Sequence, residues 1–108
     1  KANMEKAIRQ FGKDNLPSAF IASNDAIAIG CLKALSEQQI NVPEDVCVVG
    51  FNDISTAKYI TPALTTVKVY TEEMGRSGIR LLNERIQEGR EVSKQVILST
   101  KLIKRESA

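Results

Sequence analysis

Four side chains set out the chemistry open to this sequence. They are Asn24 and Asp25, in the run Ser23-Asn24-Asp25, and Asn52 and Asp53, at the end of Val48-Val49-Gly50-Phe51-Asn52-Asp53. The aspartates could act as an acid–base pair if they shared a crevice. Each also has an ordinary structural use: Asp25 as a negative charge in the first turn of a helix, Asp53 as an Asx-turn residue. The asparagines each offer an amide donor and a carbonyl acceptor, which suits hydroxyl-rich or heterocyclic small molecules, and each can also serve in capping or turn formation. Other chemistries lack their parts. With no histidine and no Cys-x-x-Cys pair, a zinc site has almost nothing to be built from. Cys31 and Cys47 sit in apolar segments and read as small buried hydrophobes rather than a disulfide. Gly75-Arg76-Ser77-Gly78 falls inside a predicted helix and so is no phosphate loop, and Gly50 lacks the later glycines of a dinucleotide fingerprint. No catalytic residue, metal or cofactor is expected.

The totals agree with a binding module. At 108 residues the chain is one modest domain or part of a larger one, and its 43% hydrophobic and 26% charged shares are those of soluble globular proteins. A net charge of +2 is too small to mark a nucleic-acid surface. Arg76, Arg80, Arg85 and Arg90 are interleaved with glutamates, as on a solvated helix face. No apolar run reaches the ~20 residues of a membrane span, and the cysteine usage fits a reducing cytoplasm.

The elements that must position these residues follow from periodicity. Met4, Ala7, Ile8 and Phe11 have the spacing of an amphipathic helix over residues 1–13. Residues 19–22 predict a short buried strand, followed by a helix to about Gln39 that Ser23 or Asn24 caps. That helix would face a sheet with Ala28, Cys31, Leu32 and Leu35, and Ile29 would project away from them, towards a neighbouring loop or a partner subunit. Residues 46–49 predict a strand buried on both faces, with Gly50 allowing a turn or a close approach. Strand, helix, strand is a βαβ unit whose right-handed crossover makes the strands parallel. Asn24-Asp25 and Asn52-Asp53 should therefore emerge at one sheet edge, where open α/β sheets bind ligands. Residues 64–70 predict a third strand. Thr71 should cap a helix over 72–88, with Met74, Gly78, Ile79, Leu82 and Ile86 on its buried stripe, Gly78 in close backbone approach and Gly89 as its stop. Residues 92–103 predict a last extended segment centred on Val96-Ile97-Leu98, and 104–108 a polar terminus.

In this order and spacing, Ser23-Asn24-Asp25 with Ala28 and Gly30, Val42-Pro43-Glu44-Asp45-Val46, Val48 through Asp53, Leu64-Thr65-Thr66-Val67, Met74-Gly75 and Arg105-Glu106-Ser107 resemble the LacI/GalR family of bacterial transcriptional regulators. The match covers about residues 16–107. The resemblance implies an α/β, parallel-sheet, periplasmic-binding-protein-like (type I) effector-binding core, of which this chain is a C-terminal fragment. Residues of about 1–66 and 97–108 would belong to the carboxyl-terminal lobe and about 70–95 to the amino-terminal lobe, the helix-turn-helix DNA-binding domain lying outside the chain. It further implies effector contacts from Asn24, Asn52, Val69 and Thr71, and a homodimer interface at Ile29 and Ile60. Asn52 stands where many members carry an aspartate, so a neutral hydrogen bond replaces a charge-assisted one. The implied partners are a sugar or related metabolite, a second copy of the chain, and DNA through the missing domain only. No membrane partner is implied. Two alternatives are a sugar-binding protein of a transport system and a regulator governed by a protein co-regulator docked on the 72–88 helix.

Overall fold

The sheet consists of β1 (Ala19–Ile21), β2 (Cys47–Asn52), β3 (Thr65–Lys68) and β4 (Lys101–Ile103), side by side in that order. The computed structural model describes residues 1–108 as two units, residues 1–68 with 101–108, and residues 69–100. In the first unit β1 pairs with β2 and β2 with β3, both in parallel, as the βαβ crossover requires. β4 pairs with β3 antiparallel. The chain leaves β3 at Lys68 and re-enters the sheet at Lys101, its register partner, so β4 has to run back along β3.

Two helices cover one face of this sheet. α1 (Ala2–Phe11) buries Met4 and Ile8, and α2 (Asp25–Glu37) buries Ala28, Leu32, Ala34 and Leu35. A Cβ on Gly30 would lie 2.9 Å from the backbone nitrogen of Lys1, so the start of α1 crosses α2 where there is no side chain. Leu35, Val48 and Leu64 are fully enclosed and centre the core. The expectation of two-sided burial is corrected. Val48 and Gly50 are buried while Cys47, Val49 and Phe51 are half-buried or exposed, because the helices of this unit lie on one side only. β1 is likewise an edge strand rather than a buried one, with Ile21 83% exposed.

The second unit is built on α3 (Thr71–Ile86). Its apolar stripe is present in sequence, yet Met74, Ile79, Leu82 and Ile86 are all exposed, and a Cβ on Gly78 would meet nothing within 4 Å. Thr71 does not cap the helix. The helix starts at Thr71 itself, which leaves Tyr70 at the capping position with no side-chain bond to the free amides. The carboxyl end is tied by Arg90, whose guanidinium donates to the carbonyls of Leu81 and Val92 and pairs with Glu84 at 3.2 Å. Of the extended segment expected over 92–103, only Lys101–Ile103 is a strand, because β3 offers ladder partners to those three residues alone. Ile97, expected at its centre, is 83% exposed.

Candidate functional site

The carboxyl edge of the sheet brings Asn24 and Asn52 to the same margin. The Ala22 amide donates to the Val49 carbonyl at 2.8 Å, carrying the β1–β2 ladder up to the start of α2. Asn24 is the N-cap: its Oδ1 accepts from the Ile27 amide at 2.9 Å, which leaves the amide hydrogens of the side chain for other partners. Asn52 ends β2, is exposed, and stands in register with Lys68 at the end of β3.

Both aspartates are engaged by partners within the fold. Asp25 is completely buried. Its Oδ1 accepts from the Thr66 hydroxyl at 2.6 Å and its Oδ2 from the Ile54 amide at 2.8 Å. The expected close approach at Gly50 is made by this carboxylate, since a Cβ there would lie 2.1 Å from Asp25 Oδ1. Asp53 pairs with Arg105 at 2.8 Å, and the same guanidinium donates to the Leu64 carbonyl at 2.9 Å. Asp25 does stand in the first turn of α2, as the sequence suggested, and both carboxylates are in addition cross-links between segments far apart in the chain.

The terminus, expected to be merely polar, is corrected most. Ser107 is fully buried; its Oγ accepts from the Thr65 amide at 2.8 Å and donates to the Val48 carbonyl at 2.5 Å. Its own carbonyl accepts from the Val48 amide at 2.9 Å. The only signal for this in the sequence was the Arg105-Glu106-Ser107 run itself, whose partners are remote.

Ile29 and Ile60 are both half-buried and line one surface depression of about 400 Å3 together with Leu32 and Thr61. Val69 and Thr71 lie in the second unit at the entry to α3, where the Thr71 amide donates to the Val69 carbonyl at 2.9 Å. Cys31 and Cys47 are free thiols, and burial pushes Cys31 up from its ordinary value against the weaker pull of the amino-terminal charge. No group of three or more histidine, cysteine, aspartate or glutamate side chains is arranged to hold a metal ion.

A sheet of this topology, with polar tips at its carboxyl edge and a return strand after an excursion through a second unit, defines a periplasmic binding protein-like domain, and the model of that family matches residues 1–108. The chain is 50% identical over 104 residues to the HTH-type transcriptional repressor MelR of Bacillus subtilis (strain 168), covering 96% of this chain and 29% of that protein. It superposes on the transcriptional regulator CelR in its cellobiose complex with a TM-score of 0.91 at 34% identity, over 99% of this chain and 32% of that one. A LacI family regulator from Enterococcus faecium with bound ribose gives a TM-score of 0.82 at 29% identity, over 96% of this chain and 38% of that one. This chain belongs to the LacI/GalR family of transcriptional regulators. It spans less than a third of the length of MelR.

Proposed function

We propose that this chain is the effector-sensing and dimerising portion of a LacI/GalR-type transcriptional regulator, binding a small saccharide between two lobes. The observation that carries this reading is the placement of Asn24 and Asn52 at one sheet edge, in a chain 34% identical to a regulator solved with cellobiose. Residues of about 1–66 and 97–108 serve as the carboxyl-terminal lobe and about 70–95 as part of the amino-terminal lobe. Asn24 and Asn52 contact the saccharide from the first of these, and Val69 and Thr71 from the crossing segment. Neutral amides on sugar hydroxyls give orientation without fixed charge. The saccharide favours one arrangement of the lobes, and its differential affinity for the two arrangements sets how far the operator-binding equilibrium moves. The operator is read by the helix-turn-helix domain elsewhere in the protein. The chain performs no catalysis. The protein works in the cytoplasm, and no helix of this chain is long and apolar enough to cross a membrane.

Calorimetric titration of the full-length protein with cellobiose and with ribose tests the site. Asn24→Ser keeps a capping oxygen for α2 and deletes the amide, so its effect isolates ligand contact from helix stability. Asn52→Gly removes an exposed side chain and accepts the φ of 109° found at this position. Each variant should bind the accepted saccharide about tenfold more weakly, the equivalent of one lost hydrogen bond. Undiminished binding in both would remove these residues from the site.

Ile29 and Ile60 form the proposed homodimer contact, two half-buried isoleucines on a depression whose rim also carries Lys33, Ser36 and Glu37. Replacing both with aspartate buries charge at that contact and should yield monomers in sedimentation. A dimer that persists refutes the interface.

A further inference from the structure

We infer that Asp25 is a positioning residue for the saccharide site, holding the turn that presents Asn52 in a backbone conformation it would not otherwise keep. The inference rests on the reading of Asn52 as a ligand contact. Asn52 and Asp53 have φ of 109° and 58°, two successive non-glycine residues in the left-handed half of backbone space. Such conformations persist only where the surroundings over-determine them. Here the surroundings are identifiable. Asp25 Oδ2 takes the amide of Ile54, immediately after the strained pair, and Asp25 Oδ1 takes the hydroxyl of Thr66, to which the Asp53 amide itself points at 3.4 Å. The missing side chain at Gly50 leaves room for the carboxylate directly beneath the turn. Asp25 also begins α2 next to the capping Asn24. One buried carboxylate therefore fixes the spacing between the two asparagine tips, and it does so without being open to solvent or ligand itself.

Thr66→Val in the full-length protein is the test, because it is nearly isosteric and keeps the Asp25–Ile54 bond while removing the hydroxyl between Asp25 and the Asp53 amide. Two readouts are taken: the dissociation constant for cellobiose and ribose by calorimetry, and amide hydrogen exchange residue by residue. The expected result is an approximately tenfold rise in the dissociation constant together with faster exchange confined to Asn52, Asp53 and Ile54. Val48 in the core of β2 should keep its protection, and Thr66→Ser should restore both readouts. A valine variant with unchanged exchange at those three amides overturns the inference, as does one whose loss of protection spreads evenly through the core. If the unmodified protein binds neither sugar, the saccharide reading fails by itself, and the exchange comparison still decides whether Asp25 and Thr66 hold the turn.

Discussion

Gly50→Ala is expected to destabilise the full-length protein by about 3 kcal/mol, at the upper end of what one added methyl does in a packed core. The methyl would stand 2.1 Å from Asp25 Oδ1 and 3.0 Å from Leu64 Cδ2. Neither neighbour can give way easily. The carboxylate is fully buried and held by two hydrogen bonds, and Leu64 is wholly enclosed in the core. Moving the carboxylate would stretch both of its hydrogen bonds, to the Thr66 hydroxyl and the Ile54 amide. Backbone strain plays no part, because Gly50 does not have a positive φ. Urea unfolding of the two forms measures the difference, and a loss below about 1 kcal/mol would contradict this account of the site. A double-mutant cycle sharpens it. In an Asp25→Ala background the added methyl has space, so the two losses should fall short of additivity.

Ser107→Ala should cost about 2–4 kcal/mol, which is large for the deletion of one hydroxyl near a chain terminus. The direct ladder between β2 and β3 begins at the Val49–Thr65 pair. Just before it the strands lose contact, and the Ser107 hydroxyl fills the gap by accepting from the Thr65 amide and donating to the Val48 carbonyl. Alanine leaves the Thr65 amide and the Val48 carbonyl buried beside a methyl that can neither donate nor accept. The loss of a partnered group is the expensive direction, since the desolvation of the orphan is no longer offset. Exchange of the Thr65 amide should accelerate in parallel with the fall in unfolding free energy. A Ser107→Ala protein as stable as its parent would mean that the terminus merely rests on the sheet.

Several features of this molecule were set by short-range sequence. The order strand, helix, strand dictates parallel β1 and β2 through the handedness of the crossover, and with it a common edge for Asn24 and Asn52. Asn24 as a cap is a matter of three consecutive residues and the free amides of a helix start. Gly50 announced a close approach, although not which group would make it. The apolar period along α3 is equally plain, yet periodicity states only which face is apolar and says nothing of what covers it.

Tertiary structure alone decided the roles of the charged and hydroxylated residues. Asp25 and Thr66 are 41 positions apart, Asp53 and Arg105 52, and Val48 and Ser107 59. No periodicity spans such distances, and an aspartate, threonine or serine carries the same local preference for caps and turns wherever it stands. Only when the sheet closes do these groups meet, buried or half-buried, where each must find a partner or be left with its desolvation unpaid. The direction of β4 has the same origin. A run of three residues can pair either way, and it is the return of the chain at Lys101, opposite Lys68, that makes it antiparallel.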